Sequence, residues 1–202
     1  MSITVIMNKV HDYLDSARKL DALGPLAIRL YLFFPLWVGG MNKFNGFDNI
    51  VAWFDHGLGL LFPLVMAFLA TATELVGAVF LLIGFATRYI TIPLMIVMLV
   101  AIFSVHWPYG WAAIADGATD PGIADRVGAA KRILQEHGNY AWLTEKGNFV
   151  ILNNGIEFGV TYLIMLLSLF FTGAGKVVSI DYWIERYFRK EKGQASNLVV
   201  NI

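Results

Sequence analysis

Four stretches of the chain stay apolar long enough to cross a bilayer as helices, which takes about 20 residues with a range of roughly 17 to 25. They run from about residue 22 to 41, 58 to 84, 89 to 107 and 150 to 172. None shows period-two alternation, and a backbone surrounded by lipid must satisfy itself within its own segment, so the pattern predicts helices and not a β-barrel. The first loop, Asn42 to Gly57, is aromatic-rich and is expected to dip back onto the bundle. The loop 108–148 is too long for a plain connector. Within it Ile123, Val127, Ala130, Ile133 and Leu134 share a helical face, with Gly138 at the C-cap position. In the tail Trp183, Ile184, Tyr187 and Phe188 form an apolar stripe beside Arg186, Arg189 and Lys190, and Asp181 is placed to cap that helix. Residues 1–20 lack the apolar run of a cleavable signal, and Ile3, Ile6, Val10, Tyr13 and Leu14 at helical spacing predict a short surface helix. The expected fold is an all-α integral membrane protein in a single domain over 1–202. It is a four-transmembrane-helix bundle with an extracytoplasmic amphipathic helix between spans three and four and surface helices at both termini.

Composition narrows the function classes. Of 202 residues 57% are hydrophobic and only 15% charged, against about 25% charged in soluble domains. A disordered chain is excluded. With no cysteine, the chain forms no disulfide, thiol redox centre or thiolate metal site. Fifteen basic residues balance fifteen acidic ones without a basic tract, so no nucleic-acid partner is expected. Gly173-Ala174-Gly175-Lys176 is not a phosphate loop, because Phe170 stands where the earlier glycine belongs.

The expected partners are the lipid bilayer and a protein partner or second copy of the chain. Nine lysines and arginines fall on the side of the termini and the 84–88 turn, five on the other. That bias puts both termini in the cytoplasm of a multi-pass inner (cytoplasmic) membrane protein.

Ionisable groups inside a span are costly and mark function by default. Arg29, Lys43, Glu74, His106 and Glu157 are such groups. At about 1.5 Å per residue from the inner end, Arg29 stands roughly 8 Å up its helix, Glu74 about 16 Å, Glu157 about 22 Å, His106 about 25 Å and Lys43 about 28 Å. Lys43, His106 and Glu157 would then share an outer layer, with Glu74 nearer Arg29. Glu74 reads either as a proton-carrying acid facing a cavity or as one half of an interhelical ion pair. Glu74 and Glu157 are the candidate catalytic groups, and Arg29, Lys43 and His106 the candidate ligand-binding groups. A metal centre from His106 and Glu157 has suitable ligand types, but no His-rich spacing supports it and no metal ligand is assigned. Gly155 and Gly159 form a small-xxx-small pair at the head of span four.

Arg29, Gly39-Gly40-Met41-Asn42-Lys43-Phe44, and the run from Glu74-Leu75-Val76-Gly77 to Thr87-Arg88 resemble the DoxX family. Glu157 and the ending Thr172-Gly173-Ala174-Gly175-Lys176 with Ser179-Ile180-Asp181 resemble its fourth span and close. Val105-His106-Trp107-Pro108-Tyr109-Gly110-Trp111 and the loop after it are similar to a subgroup associated with maturation of copper-binding ribosomal peptides. The resemblance implies a four-helix membrane protein tied to redox systems, some relatives being subunits of a thiosulfate:quinone oxidoreductase. The expected function is a redox-associated subunit in which the buried Arg, Lys and Glu groups bind or protonate a lipid-soluble ligand. Quinone is the cofactor to look for and copper a lesser one. The alternative is a non-enzymatic membrane partner or maturation factor for a copper-binding peptide or redox enzyme, docking through the outer loop helix.

Overall fold

The computed structural model describes residues 20–118 and 120–199, together with Met7, His11 and Asp15, with side chains as far as Arg189. The surface helix expected over 1–20 therefore lies almost wholly outside the described residues. Eight α-helices are described: α1 (Leu23–Asn45), α2 (Phe47–Ala52), α3 (Pro63–Ile83), α4 (Thr87–Val100), α5 (Pro121–His137), α6 (Tyr140–Leu143), α7 (Glu157–Thr172) and α8 (Ile180–Val199). A π turn, Trp53–Gly57, follows α2, and α4 runs on as a π turn, Ala101–His106, and a 3-10 turn, Trp107–Tyr109. Among the described residues there is no strand, only an isolated antiparallel bridge between Ile114 and Leu152.

Three helical stretches are long and apolar enough to cross a membrane: Leu23–Asn45, Pro63–Ile83 and Thr87–Tyr109. The fourth, Glu157–Thr172, has 16 residues, which span about 24 Å against a hydrocarbon core of about 30 Å. It starts seven residues later than the hydropathy pattern predicts. The cause is local. Asn154 is left-handed (φ 62°), Asn153 Nδ2 donates to the carbonyls of Tyr109 and Ala112, and the amides of residues 153–155 donate to Ala112 and Ala113. Gly155 therefore stands before the helix, and a Cβ there would come within 2.5–2.7 Å of three carbonyl oxygens. The second span likewise begins late. Phe62 is left-handed (φ 56°) and Pro63 takes the first helical position, where its missing N–H costs nothing. The first loop is not a loop: α1 continues to Asn45, and α2 with its π turn fills most of the rest.

The chain divides into two compact units, Met1–Val97 with Tyr162–Ile202, and Met98–Thr161. In the first, the buried positions of α1 are Arg29, Leu32, Leu36 and Gly40, and those of α3 are Ala67, Thr71, Glu74, Gly77, Ala78 and Leu81. Both sets step by three and four, the spacing of one helical face. Small residues let the helices approach closely, as lipid-embedded packing requires. A Cβ on Gly40 would lie 2.8 Å from the Leu75 side chain, and one on Gly77 would lie 2.8 Å from Leu94. Phe34, Phe68, Ile96 and Ile164 face outward, as a lipid-facing surface would. Polar threonines in these helices bond back to their own backbone: Thr71 to the Ala67 carbonyl at 2.7 Å and Thr91 to that of Arg88 at 2.9 Å.

The second unit holds α5, whose N-cap Asp120 accepts from the Gly122 amide. Ile123, Val127, Ala130 and Leu134 on its apolar face are half-buried, and Ile133 is exposed. Gly138 closes the helix in extended geometry, its amide donating to the Leu134 carbonyl.

Candidate functional site

The five sequence-predicted groups separate into three environments. Lys43 and Glu74 meet directly. Lys43 Nζ donates to Glu74 Oε2 at 2.7 Å and to Oε1 at 3.0 Å. The carboxylate is almost fully buried and the lysine about one quarter exposed. Gly39 lies against this pair, where a Cβ would come 3.3 Å from Glu74 Oε2.

The expected heights had kept these two groups apart, Lys43 in an outer layer and Glu74 about 12 Å below it. The correction lies in helix register. The register is fixed by Gly40 of α1 facing Leu75 of α3, whose backbone nitrogen would stand 3.2 Å from a Cβ on Gly40. That raises Glu74 toward Lys43. Side chains also lean toward the N-terminus of their own helix. In this antiparallel pair Lys43 leans down α1 and Glu74 leans up α3, so they close the remaining gap.

Arg29 does not reach Glu74. It is fully buried, and its guanidinium donates to four carbonyls: Leu81 at 3.1 Å, Leu82 at 3.5 Å, Val177 at 2.9 Å and Val178 at 3.1 Å. Val178 is left-handed (φ 46°), which turns its carbonyl and that of Val177 into the fork. Gly84 leaves room for the fork, since a Cβ there would collide with it. Arg29 therefore clasps α1, the end of α3 and the 177–178 turn.

Asp181 is a second clasp at this end. It lies in the first turn of α8, not at its cap. Ser179 takes the cap role, its Oγ accepting from the Tyr182 amide at 3.2 Å. The Asp181 carboxylate instead accepts from the amides of Ala86 and Thr87 at 2.7 and 2.9 Å, capping the start of α4. A carboxylate is favoured there by the unpaired amides and the helix dipole. Sequence spacing pointed to the neighbouring helix because the true partner is 94 residues away.

His106 and Glu157 belong to the second unit and bond to backbone. His106 Nδ1 lies 2.8 Å from the Asn154 carbonyl oxygen, and Glu157 Oε2 accepts from the Ala113 amide at 2.9 Å. Among the described residues no cluster of three histidine, aspartate or glutamate side chains could hold a metal ion. A cleft of the first unit lies away from Lys43–Glu74, at the other end of its helices, around Arg88 and Lys176.

Residues 24–107 match the family model described as DoxX. That stretch is similar to DoxX. It takes in α1 to the 3-10 turn, including Arg29, Lys43, Glu74 and His106, and ends before Glu157, α5 and α8. A Bacillus subtilis (strain 168) protein named "Putative oxidoreductase CatD" is 31% identical over 83 residues, 41% of this chain. The chain spans about 60% of that relative's length. No solved structure matches.

Proposed function

We propose that this DoxX-type membrane protein is a redox-associated subunit of the inner (cytoplasmic) membrane with both termini cytoplasmic. In this reading the Lys43–Glu74 pair binds and protonates the polar head of a lipid-soluble carrier. The observation that carries it is the side-chain pair itself: a carboxylate and an ammonium held at 2.7 Å within apolar helices. Neither group is tied to backbone in the bonds that hold them, so the proton between them can move as charge develops on a ligand. The oxidoreductase name of the Bacillus relative supports a redox setting. A quinone fits the donor set. Lys43 would donate to a carbonyl oxygen, Glu74 would hold or release the proton, and the bound ring would supply the electron-accepting chemistry. Glu157 at the head of α7, the fourth span of this reading, and His106 would set the backbone around 110–113 and 154.

The test is detergent purification with mass spectrometry of copurified small molecules, paired with Glu74→Gln. Glutamine keeps the shape and removes the proton site. Quinone should copurify with the wild type, and quinone-linked turnover should fall by about a hundredfold or more in the variant. Absence of quinone together with unchanged turnover would overturn the reading.

A second reading draws on the Met98–Thr161 unit. A cleft of about 660 Å³ runs beside α5, lined by apolar Ile114, Val127, Phe149 and Val150 and by polar Asp116, Lys131 and Asn148. It would dock a copper-binding peptide or a redox enzyme. Deleting 121–137 should then abolish capture of that partner while leaving the first unit folded, and intact capture would reject this version.

A further inference from the structure

The end of the first unit opposite Lys43 holds a cleft of about 1180 Å³. Three chain segments build it: the start of α1, the turn between α3 and α4, and the stretch from the end of α7 into α8. Its floor is the 172–176 loop. Gly173 (φ 74°) and Gly175 (φ 76°) are both left-handed. A Cβ at Gly173 would stand 3.2 Å from Arg88 Nε, and one at Gly175 would stand 3.3 Å from Pro25. Glycine at both positions keeps the cleft open and lets backbone pass close under the guanidinium.

Four cations line it: Arg88, Lys176, Arg186 and Arg189. Three carboxylates are present too, but two are occupied. Asp181 accepts from the Ala86 and Thr87 amides, and Glu185 and Arg189 are ion-paired with each other, which leaves Arg88, Lys176 and Arg186 as the cations for an anion. Asp21 is the third. Arg88 gives one N–H to the Phe171 carbonyl and keeps the rest of its fork, a geometry suited to paired anionic oxygens. Tyr89 on the lining is exposed, and Arg186, also on the lining, lies 5.5 Å over the exposed ring of Trp183. Exposed tyrosine and tryptophan at the ends of apolar helices mark headgroup level. Ala22, Pro25 and Ala174 add apolar wall.

We propose that this cleft binds the phosphate headgroup of an anionic membrane lipid. The volume exceeds that of ordinary small-molecule pockets, about 300–1,000 Å³, and leaves room for the headgroup and the start of its acyl chains. The site is independent of the Lys43–Glu74 pair.

Native mass spectrometry of the full chain from micelles doped with phosphatidylglycerol or phosphatidylcholine tests it. Phosphatidylglycerol should be retained in preference to phosphatidylcholine. The double variant Lys176→Gln with Arg186→Gln should weaken phosphatidylglycerol by about fivefold per cation removed and leave phosphatidylcholine unchanged. Glu185→Gln should tighten it, and this arm removes no cation, so it stands even if the double variant fails to fold. Equal retention of the two lipids would overturn the proposal, and so would unchanged retention in all variants. Displacement of phosphatidylglycerol by equimolar inorganic phosphate would assign the cleft to free phosphate and overturn the lipid assignment.

Discussion

Arg29 and Lys43 are two cations on the same buried stripe of α1, 14 residues and about 21 Å apart, yet they are held in opposite ways. Arg29 hydrogen-bonds only backbone: four carbonyls from two distant segments close around its fork. Lys43 meets only a carboxylate in its bonds, and that carboxylate meets it. Carbonyls cannot take up or release a proton at ordinary pH, so the Arg29 cluster has one charge state and serves to join segments. The Lys43–Glu74 pair has two titratable members, and its proton can be redistributed. A buried charge inside apolar helices is thus not one kind of feature. What it bonds to decides whether it is a fastener or a candidate for chemistry.

The sharpest way to break this contrast is substitution. Arg29→Met leaves the Val177 and Val178 carbonyls without their donor, at about 1–3 kcal/mol each, while Leu81 keeps the Gly84 amide, so a loss of about 4 kcal/mol is expected. Thermal unfolding in detergent measures it. No second substitution can repair it, because the partners are backbone. Lys43→Met should cost less, about 2 kcal/mol, since Glu74 can escape by taking up a proton. Here a second substitution does repair the loss. Lys43→Met with Glu74→Leu replaces both partners by apolar groups and should return stability to within about 1 kcal/mol of the wild type. Quinone-linked activity should stay abolished in that double variant. Failure of the rescue would show that the pair is a fastener like Arg29.

Much of the contrast was legible in the sequence, and some was not. The step of three and four through Arg29, Leu32, Leu36, Gly40 and Lys43 is visible without coordinates. So is the placement of Glu74 among small and apolar residues. What hydropathy cannot carry is relative height between helices. Counting every span from a common inner plane put Glu74 nearer Arg29, because nothing in the local pattern says that Leu75 faces Gly40. Long-range caps are hidden for the same reason. Asp181 stands at a good capping distance from its own helix, but its acceptor oxygens serve Ala86 and Thr87. The late start of α7 was obscured because apolar Val150, Ile151 and Leu152 extend the hydropathic run, while Asn153, Asn154 and Gly155 settle the backbone conformation.

The Asp181 clasp gives the next smaller effect and extends the comparison to a carboxylate that bonds only amides. Asp181→Ala removes two acceptor contacts at a helix start and should cost about 1.5 kcal/mol. It sits at the Arg29 end of the helices, so it should leave quinone-linked activity of the solubilised protein unchanged at temperatures well below unfolding. Loss of activity without loss of stability would place Asp181 in the chemistry and blur the division between the two ends.

Gly39→Ala is the finest probe, because stability and function should part. An added Cβ would meet Glu74 Oε2 at 3.3 Å and Lys43 Nζ at 3.7 Å, so the carboxylate must yield by a few tenths of an ångström. Alanine in a helix gains up to about 1 kcal/mol over glycine, which offsets the crowding, and the unfolding temperature should hold or rise slightly. Gly24→Ala is the control away from the pair, since a Cβ there meets nothing beyond its own chain neighbours within 4 Å; with Pro25 next to it, it should bring little propensity gain. If the Lys43–Glu74 geometry is tuned for proton transfer, Gly39→Ala should lower quinone-linked turnover by about tenfold, as small misplacements of reacting groups do, while Gly24→Ala leaves it intact. Equal activity in both variants would mean that the pair tolerates displacement as a plain ion pair does, and Lys43 would then join Arg29 among the fasteners.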